Sequence, residues 1–514
     1  MKYLVLPMQP TPNGRMHIGH GGGTYLRADV ITRSLRLAGH EVEMVCGSDA
    51  YENWVLAALS PGENPLDLCN RYDAEIQADL RALGVHFDQW INPLDAAHNE
   101  DYCLLHQDVF TELRATGGAR QEFENIPYRP ADGSPLIGTF IAGECPACGA
   151  QAGGSSCTDC GQHFQPEDLR NARARLTQEV VRWRRQASWF LRPTSPSGLL
   201  EELEARRTAD SCVPTVRRYL KDSGGRIRLS GPGRWGITSP LLAGDEVLSN
   251  SYYLYCLYAA KRSTLGASSP FDISSSVRTV GVFGSDNTVP GLVAPVVFAQ
   301  ALSRLKPFDV TVVNGMLDLD GRKCSTSKGH GIWLKDILTS GLVTADELRI
   351  ALAMLPLDRQ RANTDFTSLA QTINAFRHLF YDRVVPALQG HVTGSHHQFD
   401  RSAVEGMRRS LLPHHVDLPG AARTLLAYLA RGGDVPERNQ AVAATETGVW
   451  LATVAMLAGA ITPSLSELIW NYTGSRPEGV GMRPFQQGGD LTSVALRAPL
   501  SPLELAALSP TSAL

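Results

Sequence analysis

The chain has 514 residues, with 48 Lys plus Arg against 52 Asp plus Glu, a formal net charge of −4 and 43% hydrophobic residues. That balance fits a globular chain of two to four domains and weighs against extensive nucleic-acid binding, while leaving room for a local basic patch. No apolar run reaches the ~20 residues a bilayer needs. The N-terminus carries one lysine and a short apolar run rather than a secretory leader, and ten cysteines in such a chain imply reduced thiols, a metal site and a cytoplasmic setting.

Tyr3 to Leu6 is a short apolar run that reads as a buried strand. The stretch Pro10-Thr11-Pro12-Asn13-Gly14-Arg15-Met16-His17-Ile18-Gly19-His20 follows, with Pro12-Asn13-Gly14 as its turn. Helical spacing then runs to Ala38, stopped by Gly39-His40, and Val42 to Cys46 reads as a second strand. This makes one βαβ unit. His17 and His20 are three apart, on one face of the first helical turn. A helix N-terminus offers free N–H groups and positive dipole, which suits phosphate. Gly21-Gly22-Gly23 costs a helix roughly 1 kcal/mol per glycine relative to alanine, tolerable where a flat ring such as adenine must touch the backbone. The same run could serve an esterase as an oxyanion loop, but no Gly-x-Ser-x-Gly elbow accompanies it. Gly47-Ser48-Asp49 closes the second strand at its carboxyl end, where parallel sheets bind ligands; Asp49 suits a substrate ammonium group or a helix cap before Glu52.

From about 117 to 225 the chain reads as an insertion. Cys145-x2-Cys148 and Cys157-x2-Cys160 lie eight residues apart, each pair followed by a glycine. Four thiolates at this spacing suit one tetrahedral, structural Zn²⁺. Gln165 to Arg185 is expected to be a charged helix. Tyr252, Tyr253, Tyr255 and Tyr258 give an aromatic helix whose simplest use is core packing. Val277 to Phe283 reads as a strand ending in Gly284-Ser285-Asp286, where a carboxylate can accept from two vicinal hydroxyls or cap the next helix. The strand Val310–Val313 leads to Met316-Leu317-Asp318-Leu319-Asp320-Gly321. Two of the chain's seven lysines then fall in Lys323-Cys324-Ser325-Thr326-Ser327-Lys328. From Leu348 the periodicity is helical: Leu348–Leu355, Leu369–Leu388, Ala403–Leu412, Ala421–Leu429, Ala441–Ala460 and Leu465–Tyr472, with a polar linker from Gly390 to Gln398. A Gly-, Pro- and Ser-rich tail follows Gly474, expected to wrap back.

His17-Ile18-Gly19-His20 after Pro10-x-Pro12-Asn13-Gly14 resembles the first signature of class I aminoacyl-tRNA synthetases. The run through Ala28-Asp29-Val30 and Cys46-Gly47-Ser48-Asp49 is similar to the methionyl branch, and Lys323 to Lys328 resembles the second signature, Lys-Met-Ser-Lys-Ser. The resemblance covers about residues 1 to 475. It implies an α/β fold: a Rossmann-like doubly wound parallel sheet with an inserted zinc-knuckle connective domain and a C-terminal α-helical bundle. The corresponding segments are 1–116 and 226–347 for the catalytic halves, 117–225 for the insertion, 348–474 for the bundle and 475–514 for the tail.

By the same resemblance the enzyme uses ATP, Mg²⁺ and Zn²⁺ and forms an aminoacyl adenylate. His17, His20, Lys323 and Lys328 are the expected catalytic groups. ATP falls to His17, Gly19, His20, Gly21, Gly22, Gly284, Asp286, Met316, Leu317, Ser325 and Ser327. The amino acid falls to Met8, Gln9, Asp49, Tyr255, Arg262 and Asn287, and the metal to Cys145, Cys148, Cys157 and Cys160. Departures fall where methionine and tRNA would be read. Thr11 stands for a pocket tyrosine, Tyr255 for a tryptophan and Gly231 for an arginine. Thr326 replaces the second signature lysine, with Lys328 two residues on. The anticodon-reading pair Asn-x3-Arg reads Asn374-x3-His378, and Trp450 lies mid-helix. These departures favour a paralogue that adenylates another amino acid and passes it to a small acceptor such as an N-hydroxylated amine. Its partners would be amino acid, ATP and a separate cupin-type enzyme, with no membrane. The alternatives are a divergent methionyl-tRNA synthetase and a binding module with a dead site.

Overall fold

The computed structural model describes residues 1–206, 210–326, 328–358, 361–390, 398–432, 440–474 and 497–509. Its centre is a five-stranded, wholly parallel sheet in the order Val310–Asn314, Arg278–Gly284, Lys2–Pro7, Glu41–Gly47, Gln89–Ile91. Successive side chains of a strand point to opposite faces, and both faces are covered here. Val5, Met44, Val280 and Val312 face one core with the helix Leu26–Leu37. Leu4, Leu6, Val45 and Phe283 face another with the tyrosine helix Tyr252–Lys261. Burial on both sides explains why these strands read as continuous apolar runs rather than alternating ones.

Chain order reverses across the Lys2–Pro7 strand, since its two neighbours are Glu41–Gly47 and Arg278–Gly284. Such a switch point opens a crevice beyond the carboxyl ends of the strands. Met8 to His20, Gly47 to Asp49 and Gly284 to Asn287 all leave the sheet there. The expected helix from His17 is present but interrupted. Ile18–His20 and Leu26–Leu37 are α-helical, and between them Gly23 departs from helical geometry at ψ −110.

The expected helix over Gln165–Arg185 is not formed. Arg170–Ala174 and Arg182–Leu191 are strands. The second pairs antiparallel with Ala119–Tyr128 over ten residues, placing Arg184 over the Tyr128 ring at 4.3 Å and Arg185 over Phe123 at 4.2 Å. Those arginines look like a solvated helical face in one dimension; cross-strand aromatic partners turn them into strand residues. The C-terminal region is helical, with Ala345–Ala353, Phe366–Leu379, Arg401–Ser410, Leu418–Arg431, Gln440–Ile461 and Pro463–Thr473. Most of the 390–398 linker and residues 475–496 of the tail lie outside the described residues. Residues 497–509 fold back, with Ser509 Oγ donating to the Gly331 carbonyl at 3.1 Å. No helix among the described residues is long and apolar enough to cross a membrane.

Candidate active site

His17 has extended backbone and caps the short helix Ile18–His20. Its Nδ1 accepts from the N–H of Gly19 at 3.1 Å and of His20 at 3.4 Å, and His20 Nδ1 accepts from the His17 N–H at 3.3 Å. A ring nitrogen that accepts holds no proton, so each neutral imidazole carries its hydrogen on Nε2. The rings stack at 3.8 Å and 16°. Burial pushes His20 down to about 4, helped by Lys323, and holds His17 well below its usual value, helped by His20 and Lys323. Two neutral Nε2–H donors on stacked rings result.

The glycines behind them have a use not read from the sequence. A Cβ at Gly21 would lie 2.9 Å from Leu334 and one at Gly22 3.1 Å from Leu352. Close packing onto buried leucines accounts for both, whatever lies on the other face of the backbone. Arg27, fully buried, donates to the carbonyls of Gly22 and Gly23 and pairs with Asp358.

The two signature segments are physically joined. Ile18 N donates to Ile332 O at 2.9 Å and Leu334 N to Met16 O at 2.9 Å. Asp79, 0% exposed, clamps the junction from below, accepting Met16 N at 2.9 Å and Lys335 N at 3.1 Å. Lys323 sits on a hairpin opposite Asp318. Burial lowers its pKa, and its Nζ donates to the Thr158 carbonyl at 2.8 Å. Ser325 exchanges backbone hydrogen bonds with His330, closing the loop. Thr326 turns to the Gly14–Arg15 turn, donating to Arg15 O at 3.3 Å, while Lys328 is exposed. Ser327 lies outside the described residues.

Asp49 is held by Asn250 Nδ2, and Asn250 Oδ1 accepts from Tyr102 OH at 2.7 Å. Burial, with repulsion from Glu52, pushes the Asp49 carboxyl up to about 8 against the Asn250 bond. Gln9 Nε2 donates to Ser48 O at 3.2 Å, and Met8 O accepts from Tyr25 OH at 3.0 Å, so both line the same corner. Tyr255 is buried in the core that includes Tyr102, with Met8 packed against it. Arg262 is not brought there. It is the exposed C-cap of the tyrosine helix, its guanidinium 6.0 Å from the Tyr258 ring, two helical turns past Tyr255. Asn287 donates to Asp286 Oδ1 at 3.2 Å, supporting the carboxylate it follows. A Cβ at Gly284 would lie 2.7 Å from that oxygen. Met316 is half-buried and Leu317 buried in the turn beyond Asn314, whose Oδ1 accepts from Thr24.

The four knuckle sulfurs converge within 4.8 Å of one another. Cys145–Cys160 and Cys148–Cys157 are 3.8 and 3.7 Å apart. A tetrahedron with Zn–S of about 2.3 Å requires about 3.8 Å, so the residues fit one zinc ion. Gly149 and Gly161 adopt positive φ, which lets each loop turn back on itself. The knuckle lies against the crevice: His163 Nε2 is 3.0 Å from the Asp286 carbonyl, and Asp159 lies 3.8 Å from Arg361, which pairs with Asp318.

Asp79, Asn250, Asn314 and Arg27 escaped the sequence reading. Asp79 and Arg27 look like polar helix positions and Asn250 like a helix cap; nothing local marks them.

Comparison with known proteins agrees with this layout. The family described as tRNA synthetases class I (M) matches residues 3–376. The Salinibacter ruber methionine–tRNA ligase is 26% identical over 443 residues, 78% of this chain and 61% of the relative. That of Pyrococcus horikoshii is 24% identical over 453 residues, 80% and 61%. The chain thus spans about 61% of the length of these two relatives. A Mycobacterium tuberculosis methionyl-tRNA synthetase bound by methionyl-adenylate superposes with a TM-score of 0.64 at 17% identity, covering 98% of this chain and 99% of that one. With the signature turn, the joined second loop and the knuckle on one switch-point crevice, the chain belongs to the class I tRNA synthetases (M).

Proposed function

We propose that the protein activates an amino acid with ATP and passes the aminoacyl group to a small-molecule acceptor such as an N-hydroxylated amine. The first part is supported by His17, His20, Asp49 and Asp286, which lie on segments leaving the strand ends, and by Lys323, which is near enough to act on both histidines and to feel Asp286. In this reading the substrate carboxylate attacks the α-phosphorus of ATP; the bond to the bridging oxygen breaks and pyrophosphate leaves. No side chain acts as nucleophile, and the work is positioning and charge stabilisation. His17 and His20 donate to phosphate oxygens. Lys323 and Lys328 steady the departing charge, Asp286 accepts from ribose hydroxyls and Asp49 accepts from the ammonium group. Mg²⁺ accompanies ATP. Zn²⁺ on Cys145, Cys148, Cys157 and Cys160 would crosslink the knuckle that buttresses Lys323 and Asp286. The segments 1–116 and 226–347 act as catalytic halves, a division supported by their strands sharing one sheet.

Support for a small acceptor comes from the helix Phe366–Leu379. Asn374 exchanges hydrogen bonds with Leu500, at 2.9 and 2.8 Å, and Arg377 is buried against Glu347 and Ala498 O. His378 pairs with Asp382 one turn on, and Trp450 is buried with its N–H on Tyr428 O. Asn374, Arg377 and Trp450 are engaged internally and the exposed His378 is paired along its own helix, whereas base reading needs planar donors and open stacking faces. The second reading, a divergent methionyl-tRNA synthetase, is favoured by the names of the relatives. Amino-acid-dependent ATP–pyrophosphate exchange across a panel of amino acids tests activation; no exchange with any of them would leave a binding module. Charging of total tRNA with the best-exchanged amino acid, surviving physiological salt, would establish the second reading.

A further inference from the structure

Four tyrosines line the helix Tyr252–Lys261, and three have conventional partners. Tyr252 OH donates to Leu6 O at 2.5 Å, Tyr253 OH donates to Lys306 O at 2.6 Å, and Tyr258 OH lies 3.1 Å from His98 Nδ1. Tyr255 is 0% exposed, and its hydroxyl has no hydrogen-bond partner among the described residues. A buried phenol ordinarily finds one, and phenylalanine would fill the same space with no polar group to satisfy.

The position of the orphan is informative. The groups that act on it electrostatically are Cys46, Cys256, Tyr102 and Tyr25. Tyr25 and Tyr102 in turn both feel the Asp49 carboxylate. Tyr25 OH is spent on Met8 O, Tyr102 OH on Asn250, and the Cys46 thiol on Pro7 O. The donors of Tyr25, Tyr102 and Cys46 are already committed, and Tyr102, buried in the same cluster as Tyr255, connects through Asn250 to Asp49, which would hold a substrate ammonium group.

We infer that Tyr255 OH is the specificity determinant of the amino-acid pocket, donating to an oxygen on a neutral polar side chain, a hydroxyl or a carboxamide. This rests on the adenylation reading above and names its substrate class. A thioether or alkyl side chain leaves the phenol unpaired in a dry pocket, which a site built to donate a hydrogen bond penalises. A carboxylate side chain is disfavoured because it would share the corner with Asp49. Arg262, expected from the resemblance to contact the amino acid, is exposed elsewhere.

The test uses near-isosteric pairs in ATP–pyrophosphate exchange: serine against 2-aminobutyrate, threonine against valine, glutamine against methionine. Wild type is expected to favour the polar member of its best pair at least tenfold in kcat/KM. Tyr255→Phe should erase that ratio while leaving the KM for ATP within twofold. Because Tyr255 is a core residue, a second arm uses the wild-type chain alone: the polar member should raise the melting temperature in the presence of a non-hydrolysable ATP analogue, and the apolar member should not. Wild-type preference for the apolar member of every pair overturns the inference. So does a Tyr255→Phe ratio equal to wild type, the result expected if only a trapped water satisfies the hydroxyl. Exchange in which these ratios fail sinks the Tyr255 assignment alone; no exchange with any amino acid sinks the adenylation reading with it.

Discussion

His20 illustrates how burial sets chemistry at single residues. Its Nδ1 is tied to a backbone N–H and its ring is held near pKa 4, so it meets phosphate as a neutral Nε2–H donor. His20→Ala is expected to slow pyrophosphate exchange by about 2–4 kcal/mol of transition-state stabilisation, the magnitude of a lost oxyanion donor. Exchange at the wild-type rate would remove the phosphate role. The same burial has a stability consequence. Unfolded histidine titrates near 6.5, so between about 6.5 and 4 the folded chain binds fewer protons than the unfolded one. Stability is intact above that window and lost as pH falls through it, and buried His106, also held near 4, acts in the same direction. Melting temperatures recorded from pH 7 to pH 4 check this.

Asp49 shifts the other way. Its raised pKa leaves it largely protonated at neutral pH, whereas holding an ammonium group needs the carboxylate. The KM for the amino acid is therefore expected to fall as pH rises toward about 8 and to level off beyond it. A flat KM across pH 6 to 8 would contradict the assignment.

At the scale of elements, the site is a set of loops braced against one another. Asp79 supplies both oxygens to backbone N–H groups of the two signature segments. Asp79→Ala leaves two buried donors unmet, at roughly 1–3 kcal/mol each. We expect a lower melting temperature together with a raised KM for ATP; a change in only the former would make Asp79 a matter of stability alone. The knuckle braces from the other side, through Thr158 on Lys323 and His163 on the Asp286 carbonyl. One zinc per chain is expected by elemental analysis. Its removal should raise the KM for ATP more than that for the amino acid, since both contacts lie on the nucleotide side.

The whole molecule returns its tail to the helical region. Ala498 and Leu500 satisfy Arg377 and Asn374, and Ser509 reaches Gly331, whose Cβ direction points at His17. Deleting residues 497–514 is expected to lower the melting temperature by exposing the buried Leu500 and Leu505 sites. If the truncated chain melts as the full one does, the tail contacts carry no stability.

Much of this was legible in one dimension because the signals are local. A strand, a Pro-x-Pro-Asn-Gly turn and two histidines three apart specify a helix start; paired Cys-x2-Cys spacing specifies four converging sulfurs; a 3.6-residue period specifies the C-terminal helices. Asp49 and Asp286 were identified as strand-end carboxylates for the same reason. What only the tertiary structure decided depends on partners far apart in the chain. Arg184 and Arg185 became strand residues because Tyr128 and Phe123 face them across a ladder. Gly21 and Gly22 answer to Leu334 and Leu352, more than 300 residues away. Asp79 is a clamp because Met16 and Lys335 meet above it. Arg262 left the pocket because two helical turns carried it past Tyr255 into solvent. Tyr255, aromatic core by its spacing, is set apart by what surrounds its hydroxyl. Sequence periodicity assigns a residue to a face; which long-range group meets it there is settled only by packing.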